Sequence, residues 1–208
     1  LVSGPRNPNF MEMSKRKAKQ DRTAVIARIK NPLALRFPLI NPNEFLERTK
    51  GVVRPLFTVY GLALWVATIS VAIVLFLLNV DEVTGSLSDK YITQQNVAIV
   101  LLSYPMIKGL HELGHAYATK VWGGNVHEIG VMLLVFIPVP YVDASASGAF
   151  PERYKRLVVT SAGIIVELFL ASVAMILWVI LDEGMLRAIA FNVMLVGGVS
   201  TLLFHGNP

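Results

Sequence analysis

The sequence predicts an all-α membrane protein of about four transmembrane helices with a short membrane-embedded β-hairpin. Three observations carry that expectation. Of 208 residues, 54% are apolar and 16% charged, with a mean hydropathy of +0.56; a soluble domain has about a quarter of its residues charged. Four long apolar stretches are separated by short charged connections. A fifth apolar stretch, 131–142, is too short to cross about 30 Å of hydrocarbon as a helix, and Pro138 and Pro140 would break one.

The same composition excludes several classes. Disorder needs low hydrophobicity and high charge. With no cysteine, thiolate zinc sites, iron–sulfur clusters, disulfides and cysteine nucleophiles are all ruled out. Charge is distributed unevenly: residues 1–54 hold 12 Lys/Arg against 4 Asp/Glu, and the remainder holds 7 against 10. The chain therefore reads as a basic cytosolic or interfacial arm, 1–54, followed by a membrane-embedded core, 55–208. Nucleic acid is not the expected partner of the arm, which runs into a membrane span and has few stacking aromatics.

Taken in order, residues 1–22 are polar and basic, with Lys15, Arg16, Lys17 and Lys19 in one run. Residues 23–55, punctuated by Pro32, Pro38 and Pro42, suit a segment lying along the bilayer surface, with an amphipathic turn or two between Glu44 and Arg54. Pro55–Val80 is an uncharged first span, and Asp81–Tyr91 an acidic loop. A second span, Val97–Thr119, contains Lys108, His111, Glu112 and His115. After the short apolar stretch comes a basic connector with Arg153, Lys155 and Arg156. The third span, Leu157–Leu181, is interrupted by Glu167, and the acidic pair Asp182–Glu183 leads to a fourth, Met185–Phe204. Basic connections stay on the cytosolic side, so the arm and the connector face the cytosol and the two acidic loops face away.

The chemistry sits in His111-Glu112-Leu113-Gly114-His115. Residues four apart share one helix face, so the two imidazoles can bind one metal ion. Zinc suits imidazole ligands and brings the pKa of a bound water to about 7. Glu112, the neighbouring carboxylate, can take that water's proton and return it to a leaving amine. The plain alternative is a polar pair joining helices, which is costly to bury in one turn without a metal.

The segment His111–Ala116 inside a hydrophobic span resembles the zinc site of the site-2 proteases, which cleave peptide bonds within the membrane. Phe204-His205-Gly206-Asn207-Pro208 is similar to the start of that family's Asn-Pro…Asp-Gly segment, and Val121–Ser145 resembles its embedded β-hairpin. Gly163–Glu167 lies where many members have Gly-Pro-x-x-Asn, with the Pro and Asn replaced. The resemblance covers roughly residues 55–208 and is nearest to bacterial peptide zinc metalloproteases. It implies a zinc cofactor on His111 and His115 and an Asp beyond Pro208 as third ligand, so the core is expected to be truncated at its C-terminal end. It also implies a membrane-inserted or exported peptide as substrate, a bacterial inner-membrane location, and in some members a membrane-fusion adaptor on the same chain.

Five further residues are candidates for substrate contact or support of the site. His127 precedes the hairpin and reads as a spare ligand or an interfacial histidine. His205, with Asn207, belongs to the expected third-ligand segment. Lys108 and Glu167 come from depth arithmetic: at 1.5 Å per residue from the cytosolic ends of their spans they lie about 16 Å and about 15 Å deep. Two charges at one depth are expected to pair and tie the second span to the third. Asp143 reads as a turn residue, Gly123-Gly124 as a turn, and Ser161-Ala162-Gly163 as close helix packing. A strand edge at membrane depth can pair with the backbone of a substrate. Two other functions stay open on the residues alone: a non-proteolytic membrane subunit of a peptide export machine, and a metal transporter.

Overall fold

The computed structural model describes residues 34–90, 94–134 and 137–204. The basic run at 15–19, His205 and Asn207 lie outside them. The described chain is mostly helical, with one small antiparallel sheet. Strand β1 (Ala34–Ile40) leads into helix α1 (Asn43–Val53) and a 3₁₀ turn (Arg54–Phe57). Helices α2 (Val59–Leu78), α3 (Val80–Lys90) and α4 (Gln94–Val121) follow, then strands β2 (Ile129–Leu134) and β3 (Ile137–Val142). A second 3₁₀ turn (Ser145–Ala149) precedes α5 (Arg153–Ile180) and α6 (Met185–Phe204).

Helix α5 is the centre of the bundle. It buries Val159, Ala162, Gly163, Glu167, Ala171, Ala174, Met175 and Trp178 against α2, α4 and α6. Helix α2 is apolar on every side, and only Ala72 of it is buried. A helix that is apolar all round is covered either by further protein or by lipid. Of the four expected spans, α2 and α5 are long and apolar enough to cross a membrane. Helix α6 is apolar over Met185–Val199, while α4 carries Lys108, Glu112 and Lys120 beside its two histidines.

The expected acidic loop is instead helical: Asp81 and Glu82 fall in the first turn of α3, where carboxylates meet the positive end of the helix dipole. The Arg187 guanidinium donates to Glu82 at 2.7 Å and lies over the Trp178 ring, so both acidic connections meet at one end of the bundle. Phe57, Trp122 and Tyr154 stack edge-on in series at the end where α2 and α5 begin and α4 finishes.

The hairpin is present but larger than expected. β2 pairs with β3 from Ile129↔Val142 to Leu134↔Ile137, and β1 adds to the other edge of β2 in antiparallel register. The stretch expected to lie along the surface thus supplies a third strand and, in α1, three turns of helix. The reason is backbone pairing. The N–H and C=O groups of β2 on the side away from β3 need partners, and β1 provides them. Lys120, buried at the end of α4, anchors α1 by donating to Asn43 at 2.9 Å and to Glu47 at 2.9 Å.

Helix α4 stops at Val121 by a Schellman closure: Gly124 N–H bonds Thr119 O and Gly123 N–H bonds Lys120 O, both at 3.0 Å. Gly123 has φ +84°, a conformation that other L-residues adopt at a cost. Gly123→Ala is expected to destabilise the chain by about 1–2 kcal/mol, read as a lower thermal unfolding midpoint in detergent.

Candidate metal centre

Helix α4 turns His111 and His115 toward α5, and small residues let the helices approach. Gly114 packs against the Ala162 carbonyl and the Val166 side chain. Gly163 lies under the His111 ring, where an added methyl would overlap the imidazole. The expected close packing at Ser161–Gly163 therefore has a chemical purpose, since it leaves room for the ring. Gly163→Ala is expected to displace the His111 ring, and with it any metal the ring holds, while keeping the helix, because alanine favours a helix by about 0.5–1 kcal/mol over glycine. Metal content per chain beside far-UV circular dichroism measures both.

Each imidazole is held by its Nδ1. The His115 Nδ1–H donates to the Val159 carbonyl at 2.6 Å, an oxygen that can only accept. His111 Nδ1 sits 2.8 Å from Glu167 Oε1. With both Nδ1 protons committed, both Nε2 atoms present lone pairs, and they face each other at 3.1 Å. Two imidazole nitrogens on one tetrahedral zinc, each at about 2.0–2.1 Å, lie about 3.3 Å apart. The donor pair fits that ion. Metal-binding histidines nearly always donate their second N–H to a carboxylate or a backbone carbonyl, and one of each is present here.

The expected Lys108–Glu167 pair is in place. Lys108 Nζ lies 2.6 Å from Glu167 Oε1, and the Glu167 side chain is completely buried. The same oxygen serves His111, so one carboxylate neutralises the ammonium and orients the ring. The pairing of the two residues was legible in the sequence; the link through His111 was not, because the turn of α5 that faces α4 depends on packing.

Glu112, one residue on, reaches the sheet. Its Oε2 accepts the Val142 N–H at 3.1 Å. It lines a cavity of about 400 Å³ between α4 and the sheet, with Met106, Leu110 and Leu113 on one side and Ile129 and Pro140 on the other. The cleft is apolar, with one carboxylate in its wall.

The remaining candidates are not brought to the pair. His127 is exposed ahead of β2, within electrostatic reach of Asp143. Asp143 accepts the Ser145 N–H at 3.1 Å as a turn residue. Among the described residues, no group of three or more His, Cys, Asp or Glu converges to hold a metal ion. Sequence reasoning missed two backbone participants, the Val159 carbonyl and the Val142 N–H. Main-chain groups leave no residue-type signal. No family model, curated protein or solved structure matches this chain.

Proposed function

We propose that the chain is the core of an intramembrane zinc metalloprotease of the site-2 type, acting on membrane-inserted or exported peptides. The observation that carries the reading is the histidine pair: two Nε2 atoms 3.1 Å apart, each ring fixed through Nδ1. Helices α2, α4, α5 and α6 are read as the four spans. The end bearing Lys120, Arg153, Lys155 and Arg156 is read as cytosolic and the end bearing Asp81, Glu82, Asp182 and Glu183 as opposite. A bacterial inner membrane suits that topology.

His111 and His115 would hold the zinc, with a further ligand from outside the described residues. Zinc there supplies Lewis-acid polarisation of a peptide carbonyl and acidifies a water. The other roles belong to the chain. Glu112 accepts the proton of the attacking water on its carboxylate and returns it to the departing amide nitrogen. The Val142 N–H holds that carboxylate at the cavity wall. The sheet edge beside it keeps the substrate extended, which a helical peptide bond, shielded by its own neighbours, must become before attack. Lys108 and Glu167 place a balanced charge pair beside the metal face.

The test is zinc content and cleavage by the full-length chain in proteoliposomes, with a single-span peptide as probe. About one zinc per chain, cleavage lost on chelation and restored by zinc, is expected. Cleavage indifferent to chelation would overturn the metal mechanism. Bound zinc without cleavage would favour a non-proteolytic subunit of a peptide export machine.

A further inference from the structure

The edge of the sheet that faces the cavity has an unusual hydrogen-bonding character. In an antiparallel pair, alternate residues turn both N–H and C=O toward the partner strand, and those between turn both away. The Asp143 N–H donates to Glu128 O at 2.9 Å, continuing the pairing of β3 with β2. By that alternation Tyr141, Val139 and Ile137 face β2, and Val142, Pro140 and Pro138 face outward. The outward Val142 N–H, given to Glu112 at 3.1 Å, agrees. β3 is the terminal strand of the sheet order among the described residues, and Pro140 lines the cavity.

Proline has no N–H. Two of the three outward positions therefore offer a carbonyl and no donor, and the third has its donor committed to Glu112. Edge prolines ordinarily discourage strand pairing. Here they remove only half of it, because the carbonyls of Pro138 and Pro140 still point outward from the sheet.

We infer that this edge accepts hydrogen bonds without donating them, and so selects extended peptides with free N–H groups on two alternate residues. The inference rests on the reading of the cavity as the peptide site and names what that site requires. At about 3.4 Å per residue, Pro140 and Pro138 lie about 7 and about 14 Å along the strand from Val142. The two required N–H groups thus sit on one side of the residue beside Glu112, two residues apart. A peptide with proline or an N-alkyl residue at either position is rejected, while the positions between tolerate one. This holds for either strand direction, because a residue's N–H and C=O point the same way.

The experiment measures binding rather than turnover. The probe is a fluorescein-labelled ten-residue peptide of alternating Val and Thr, bound to the full-length Glu112→Gln chain in detergent micelles and read by anisotropy against empty micelles. Two analogues replace either every Val or every Thr by its α-hydroxy acid, so that esters remove the N–H groups of one parity. One hydrogen bond is worth about fivefold in affinity. One analogue should therefore bind about twenty-fold more weakly than the parent, and the other within about twofold. Restoring donors with Pro138→Ala and Pro140→Ala together should tighten the parent peptide by on the order of tenfold, a gain that loosened packing would not produce. Equal losses in both analogues, no binding of the parent, or no gain in the double variant would overturn the inference. The proteolytic reading stands or falls separately, on chelation and cleavage.

Discussion

Glu112→Gln is expected to retain zinc and lose peptide cleavage by about 10²–10⁴-fold in kcat, the usual contribution of a positioned general base. The substitution is close to isosteric. Its amide oxygen can still accept the Val142 N–H, which now meets Glu112 at 3.1 Å, so the cavity wall is kept. What goes is the ability to take a proton from water and hand it to the leaving nitrogen. His111 and His115 are untouched, and their Nδ1 anchors on Glu167 and Val159 lie on α5, away from the cavity. Zinc content should therefore stay near the wild-type value. His115→Ala is the contrast, losing metal and cleavage together. The measurements are zinc per chain and initial cleavage rates. Cleavage by Glu112→Gln within about tenfold of wild type would show that proton transfer runs through another group.

Glu167→Leu is expected to have two separable effects. The Glu167 side chain is fully buried and Lys108 is 12% exposed, so removing the carboxylate strands an ammonium in a poorly solvated place. Breaking a buried pair in this way costs about 3–5 kcal/mol. The His111 ring also loses the acceptor on Nδ1, and loss of such a partner lowers metal affinity by about 10–100-fold. A second change tells the effects apart. Lys108→Met combined with Glu167→Leu removes both charges, and replacing a buried ion pair by apolar groups is often neutral or stabilising. The double variant should recover its unfolding midpoint in detergent and keep the weakened zinc affinity, measured by competition with a chelator. Recovery of both quantities would mean that Glu167 serves only to neutralise Lys108.

The elements most legible in the sequence were those set by local pattern. The uncharged stretch from Pro55 to Val80 gave α2, and the fourth apolar stretch matches α6 from Met185 to Phe204. The His111/His115 spacing places both imidazoles on one face because the helix period alone requires it. The Lys108–Glu167 pair followed from counting residues inward from two span ends, since burial of a lone charge forces a partner at equal depth.

Apart from the Lys108–Glu167 pair, tertiary structure decided which groups meet across elements. β1 reads as a short apolar, proline-marked surface segment until β2 needs a partner for its free edge. The acidic stretch after α2 is polar, and its helix is favoured by Asp81 and Glu82 at its start. The anchors that fix the two imidazoles are a carboxylate 56 residues from His111 and a carbonyl 44 residues from His115. Their roles depend on the rotation of α5 about its own axis, which the packing of Gly114, Ala162 and Gly163 selects. By itself the sequence determined the long apolar helices, the spacing of the two histidines and the pairing of Lys108 with Glu167, because these follow from local or one-dimensional quantities. Only the folded arrangement decided which backbone atoms complete the site, because a main-chain N–H or carbonyl is the same in every residue type and acquires a role through its neighbours.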